Sequence, residues 1–120
     1  MRNNKGYRNL RAWELANELT HNIYDTTENF PKTETFGLIS QMRRAALSVP
    51  ANIAEGYSRK TPKDRKHFYI IANSSLTELE YYIDFVYERN LYSTQVYRKL
   101  ADLHTETARV LTGLIKSVKI

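Results

Sequence analysis

Gln41-Met42-Arg43-Arg44-Ala45-Ala46-Leu47-Ser48-Val49-Pro50-Ala51-Asn52-Ile53-Ala54-Glu55-Gly56 is the stretch that decides the fold. At about 100° per residue, Gln41, Arg44, Ser48, Asn52 and Glu55 fall on one stripe of a helix, and Met42, Ala45, Ala46, Val49 and Ile53 form an apolar stripe beside it. The apolar phase survives Pro50, which predicts one kinked helix and not two. The proline removes a backbone bond to the Ala46 carbonyl at a cost of about 3 kcal/mol. Ser48 and Asn52 are the nearest side chains able to satisfy the freed groups, directly or through water.

Outward from this stretch the same periodicity repeats. A first helix is predicted from about Leu10 to Thr27, with Trp13, Ala16, Thr20, Ile23 and Tyr24 on one face and Leu15 and Leu19 flanking it. Residues 1–9 read as a polar tail, and the domain as residues 10–120. Pro31 lies in the link to the second helix, which Thr33 or Thr35 is placed to cap, and which runs to about Tyr57 with Gly56 as a left-handed exit. Thr61, Pro62 and Asp64 form an N-cap, first-turn proline and first-turn carboxylate for the third helix. Its Phe68, Ile71, Ala72, Ser75, Leu76, Leu79, Tyr82, Ile83 and Val86 recur in threes and fours as a core seam. Asn90 and Leu91-Tyr92 close it. Ser93 caps a fourth helix whose Val96, Leu100, Leu103, Thr107, Val110, Leu111 and Leu114 continue the spacing to about Ser117. Four amphipathic helices with short links predict an all-α, antiparallel, up-down-up-down four-helix bundle.

The chain of 120 residues contains no cysteine, which removes disulfides and zinc–thiolate sites and fits a reducing compartment. The first residues lead into no apolar segment and no later run reaches the length of a membrane span, so the expectation is a soluble, cytoplasmic protein without a membrane partner. Net charge is +5, unevenly spread. Residues 1–34 balance to zero, residues 59–66 hold five cations against one anion, and Glu78, Glu80, Asp84 and Glu88 follow against Arg89 alone. Arg98, Lys99, Arg109, Lys116 and Lys119 then outnumber Asp102 and Glu106. The third helix thus carries its charges reversed with respect to the helix dipole, each costing about 0.3–1 kcal/mol.

Catalytic chemistry finds little to stand on. Glu18-Leu19-Thr20-His21 matches the Glu-x-x-His element of di-iron bundles, but neither His67 nor His104 supplies the second such element. Glycine-rich phosphate loops, nucleotide fingerprints and Ser/His/Asp strings are missing. No enzyme, cofactor, metal site or small-molecule substrate is therefore expected. The stripe of Gln41, Arg44, Ser48, Asn52 and Glu55 is read as a structural polar network that fixes register between helices or subunits, in preference to a ligand pocket. Arg59, Lys60, Lys63, Arg65 and Lys66, with Arg43 and Arg44, are the candidate polyanion-binding residues, because such side chains at helix ends neutralise phosphates. The same cations have a second use against the acidic half of the third helix in a neighbouring copy. The nine tyrosines, with Tyr81, Tyr82 and Tyr87 clustered, suit a subunit interface or base stacking.

Gln41 to Ala46, the string Ser48-Val49-Pro50-Ala51-Asn52-Ile53-Ala54-Glu55-Gly56 and Ser75-Leu76-Thr77-Glu78-Leu79-Glu80 together resemble the four-helix-bundle family encoded in intervening sequences of large-subunit (23S) ribosomal RNA genes. The resemblance runs from Leu10 to about Lys116. It implies a small cytosolic bacterial bundle assembled as a homo-oligomeric ring, with a pentamer as the expected number, and no established activity. That family is distantly similar to the basic accessory proteins of diversity-generating retroelements, which act with nucleic acid and a reverse transcriptase. The function expected is a non-enzymatic oligomeric binding or scaffold protein, with RNA or DNA as the leading partner and a purely protein-binding assembly as the alternative.

Overall fold

Four α-helices carry the chain: α1 (Arg11–Thr27), α2 (Ser40–Ser58), α3 (Pro62–Glu88) and α4 (Thr94–Ser117). The computed structural model describes residues 6–120, apart from the side chains of Thr35 and Phe36. Successive helices run antiparallel, since residue numbers rise on one helix as they fall on the next. Arg43 reaches Thr27 and Ala46 reaches Thr20. Ser48 meets Ser75, and Gly56 lies against Tyr69. Tyr97 meets Asp84, and His104 meets Leu76. Each helix packs on its two neighbours in the cycle, with α4 closing on α1. This is the expected bundle. The 27 residues of α3, about 40 Å at 1.5 Å per residue, set its long dimension of 44 Å against 31 and 25 Å across.

Local chemistry explains where the elements begin and end. Thr61 Oγ1 accepts the Asp64 amide at 3.1 Å with Pro62 opening α3, and Ser93 Oγ accepts the Val96 amide at 3.1 Å to open α4. α3 stops in a Schellman arrangement: Asn90 adopts φ 60°, its amide reaches the Tyr87 carbonyl at 2.9 Å, and the Leu91 amide reaches Val86 at 3.2 Å. Asn tolerates this left-handed backbone better than most residues.

Three expected boundaries differ. A 3-10 turn at Lys32–Glu34 and a wide π turn at Thr35–Ile39 precede α2, which starts only at Ser40 with no side chain capping it. Gly56 is not a left-handed exit. It lies inside α2, and its missing side chain makes room instead: a Cβ there would stand 2.8 Å from the Tyr69 ring and 3.0 Å from the Arg65 carbonyl. Part of the presumed polar tail is also structured. Gly6–Asn9 forms a 3-10 turn that sets Tyr7 edge-on to Trp13 at 5.2 Å, while residues 1–5 lie outside the described part of the chain.

The core follows the predicted seams, with particular shifts. Leu15 and Leu19 occupy the centre of the α1 face, whereas Tyr24 is 37 % exposed. On α3 the buried line is Tyr69, Ala72, Leu76, Leu79, Ile83 and Val86, and Phe68, Ile71, Ser75 and Tyr82 sit half-buried beside it. On α4 His104 joins Leu100, Thr107 and Leu111 inside. Each fully buried leucine or isoleucine here contributes about 1.5–3 kcal/mol.

Pro50 is buried within the continuous α2. The Ala46 carbonyl it leaves without a helical donor is taken by neither Ser48 nor Asn52. Thr20 Oγ1 on α1 stands 2.9 Å from it and 2.8 Å from the Ala16 carbonyl, so one hydroxyl hydrogen serves both. Ala16 also has its regular helical donor in the Thr20 amide. The Ala46 oxygen is the group that needs the hydroxyl.

Candidate functional site

The polar stripe of α2 divides into parts with different duties. Ser48 and Asn52 are half-buried: Asn52 Nδ2 donates to the Ser48 carbonyl at 2.8 Å and to Ser48 Oγ at 2.9 Å, and Ser48 Oγ lies 2.8 Å from Ser75 Oγ on α3. Glu55 turns to Arg59 at 3.0 Å, and Gln41 and Arg44 are exposed. The structure thus brings Ser48, Asn52 and Ser75 together and leaves Gln41, Arg44 and Glu55 outside that group.

The candidate cations also separate. Arg43 is consumed by α1: its Nε donates to Thr27 Oγ1 at 2.9 Å, its Nη2 to the Tyr24 carbonyl at 3.2 Å, and its guanidinium lies 4.6 Å from the Tyr24 ring centre. α1 has no basic residue in its own last turn, so Arg43 supplies the charge and donors that its C-terminus lacks. Arg44 lies about 22 Å along the helix axis from Arg59, at 1.5 Å per residue, and forms no common patch with residues 59–66. Arg59 pairs with Glu55 and covers the Phe68 ring at 4.5 Å, while Arg65 Nη1 donates to the Arg59 carbonyl at 3.0 Å and ties down the α2–α3 turn. Lys60 and Lys63 are exposed, Lys66 is half-buried, and among the described residues none of the three is ion-paired.

What sequence spacing did not reveal is where the fold sends these charges. Antiparallel packing places the α2–α3 turn beside the start of α1 and the end of α4, so Lys60, Lys63 and Lys66 share one end of the bundle with Arg8, Arg11, Lys116 and Lys119. Three charge blocks distant in sequence become one basic end. A cleft of about 630 Å³ opens there between Leu10, Leu114 and Val118 on one side and Tyr57, Tyr69 and Arg65 on the other, with Ser117 and Lys119 at its edge. Burial pushes the Tyr69 phenol above its ordinary range, opposed in part by the Arg65 charge.

Glu78, Glu80, Asp84 and Glu88 of α3 lie toward the opposite end, and Glu78 and Asp84 accept hydrogen bonds from phenols. Tyr82 donates to Glu78 Oε2 at 2.8 Å and Tyr97 to Asp84 Oδ1 at 2.9 Å, and both bonds raise the phenol by holding its protonated form. Tyr97 stacks on Tyr87 at 4.2 Å, and the Tyr87 hydroxyl meets Thr94. For Glu78 and Asp84 the unfavourable dipole placement is thus offset by hydrogen bonds from neighbouring tyrosines. Tyr81 is 63 % exposed beside Phe85.

Glu18, His21 and His67 are exposed. His104 is buried with Nε2 at 2.7 Å from the Leu76 carbonyl, and because a carbonyl only accepts, Nε2 carries the proton. Among the described residues no group of three or more His, Asp or Glu is placed to hold a metal ion, and no helix is long and apolar enough to cross a membrane.

Comparison with known proteins agrees with this architecture. A crystal structure of a protein of unknown function of the S23 ribosomal protein family, from Bacteroides thetaiotaomicron VPI-5482, superposes with a TM-score of 0.79 at 22 % identity, covering 88 % of this chain and 99 % of that one. No curated protein matches the chain. The family described as 23S rRNA-intervening sequence protein matches residues 8–113, close to the span over which the α2 and α3 strings carry the resemblance. With most of its length matched, the chain belongs to the 23S rRNA-intervening sequence protein family.

Proposed function

We propose that the protein is a non-enzymatic, oligomeric binding protein that holds the backbone of RNA or DNA at its basic end. The observation that carries this reading is the gathering of Lys60, Lys63 and Lys66 with Lys116 and Lys119, none of them ion-paired among the described residues. Lysines free of internal partners release counterions when they meet phosphates, and this is the main source of sequence-independent affinity. Exposed Leu47, Ile70 and Tyr81 on α2 and α3 support self-association, and a ring would repeat the basic end once per copy.

The test is an electrophoretic shift assay with a structured RNA across a salt series, run beside light scattering for mass. Four to five phosphate contacts predict a log–log salt slope of about −3 to −5. Absence of retention at low salt would remove the nucleic-acid reading. The acidic stretch of α3 with exposed Tyr81 then favours the second reading, an assembly in which one copy's basic end meets that surface of the next.

A further inference from the structure

The cleft at the basic end differs from the charged surface around it. Duplex backbone needs only exposed cations, whereas this open hollow adds an apolar wall and hydroxyls. Its volume of about 630 Å³ lies within the ordinary range for sites that enclose a small ligand. Among the described residues no carboxylate lines it, and its charged members are Arg65 and Lys119. Arg65 is held by the Arg59 carbonyl through one nitrogen, which fixes the guanidinium and leaves other N–H groups for a ligand. The Tyr69 ring is buried while its hydroxyl reaches solvent in the cleft, with no hydrogen-bond partner among the described residues. A tyrosine phenol is protonated at neutral pH, so this hydroxyl is able to donate. Gly56 allows the ring to lie there, since any side chain at that position would meet it. Tyr57 presents a 45 % exposed ring at the rim.

We propose that this cleft seats one unpaired nucleotide at the end or in a bulge of a nucleic-acid strand, with its phosphate against Arg65 and Lys119 and its base on the ring of Tyr57. The proposal rests on the nucleic-acid reading above and deepens it. Donors without acceptor charge select an anion, an exposed aromatic face selects a flat apolar group, and an unpaired nucleotide carries both within one residue's reach. Bases stacked within a duplex have no face free for Tyr57, so the cleft distinguishes single-stranded ends from duplex while the surrounding lysines do not.

Binding of the full-length protein is measured, at one fixed salt concentration, to a blunt RNA duplex, to the same duplex with a short single-stranded overhang, and to adenosine monophosphate. The overhang RNA is expected to bind about tenfold more tightly than the blunt duplex, the size of one base–aromatic stack. Tyr57→Ala with Lys119→Ala is expected to bring that ratio within about twofold while blunt-duplex affinity changes by no more than the loss of one cation. Tyr57→Phe, which keeps the ring, is expected to retain the preference. Position 57 is exposed and position 119 lies outside the helices, so an unchanged melting temperature checks that the fold is intact. Equal affinity for blunt and overhang RNA, or a preference that survives the double substitution, overturns the cleft proposal and leaves the basic end standing. Failure of both RNAs to bind removes the two together. Tighter binding of adenosine monophosphate than of the overhang assigns the cleft to a free nucleotide and overturns the strand proposal.

Discussion

Thr20→Val tests how the chain tolerates a proline in the middle of its central helix. Valine has nearly the same shape, so the site stays filled and only the hydroxyl is lost. In the native protein that hydroxyl lies 2.9 Å from the Ala46 carbonyl, and position 50, which should have donated to that oxygen, has no N–H. Without Thr20 the carbonyl remains in the bundle interior, unpaired, at a cost of about 1–3 kcal/mol. The decisive comparison uses a second background. Pro50→Ala restores the amide and makes the hydroxyl redundant, so Thr20→Val in that background should cost less than about 0.5 kcal/mol. Urea unfolding of the four proteins then gives a coupling of about 1–2 kcal/mol between positions 30 residues apart in sequence. Additive costs, equal in the two backgrounds, would refute the reasoning, because the threonine would then be stabilising something other than the proline's orphan.

Gly56→Ala is expected to lower stability by about 1–3 kcal/mol, despite alanine's better helix propensity, because the new Cβ would stand 2.8 Å from the Tyr69 ring; thermal melting checks it, and a stabilised variant would show that the ring moves freely. Arg43→Met keeps the stem and removes the donors to Tyr24 and Thr27, with an expected cost of about 1–2 kcal/mol. Arg43→Lys should recover only part of it, since an ammonium lacks the guanidinium fork. Alkaline titration carries a definite sign: Tyr69 and Tyr92 are raised chiefly by burial, so the unfolded chain loses their protons first. Their contribution to stability is then constant up to the ordinary tyrosine value of 10.0 and falls above it, by at most about 1.4 kcal/mol per pH unit for each, until the raised folded-state value is passed. A urea midpoint unchanged between pH 9 and 11 would contradict this.

Features written in adjacent residues were legible in the sequence. Thr61-Pro62 and Ser93 cap because the bonds they make lie three residues away, the apolar seams of α3 and α4 repeat often enough to mark helices, and the short links between helices give their antiparallel order. Features that depend on a partner across the bundle were not. Thr20 shows no sign in sequence that it answers for Pro50, and Arg43 looks like a free cation until the end of α1 arrives beside it. Tyr69 and His104 escaped the core assignment because each has a polar tip, and only the third dimension shows where that tip goes. The basic end was hidden for the same reason, since its members come from three segments that folding alone brings together.

Where α2 lies on α3, its inner face is built from small side chains, Ala45, Val49 and Gly56 among them, and such a face resists longitudinal sliding poorly. Displacing one helix by a single turn, about 5.4 Å, would still bury most of the same carbon surface. It would also tear the Ser48 hydroxyl away from Ser75 and present it to Ile71 or Leu79, whose side chains neither accept nor donate, leaving only Asn52 of its own helix as a partner. The two serines therefore act as a latch along the bundle axis, reinforcing the alignment that the close fit of the Tyr69 ring over Gly56 also selects.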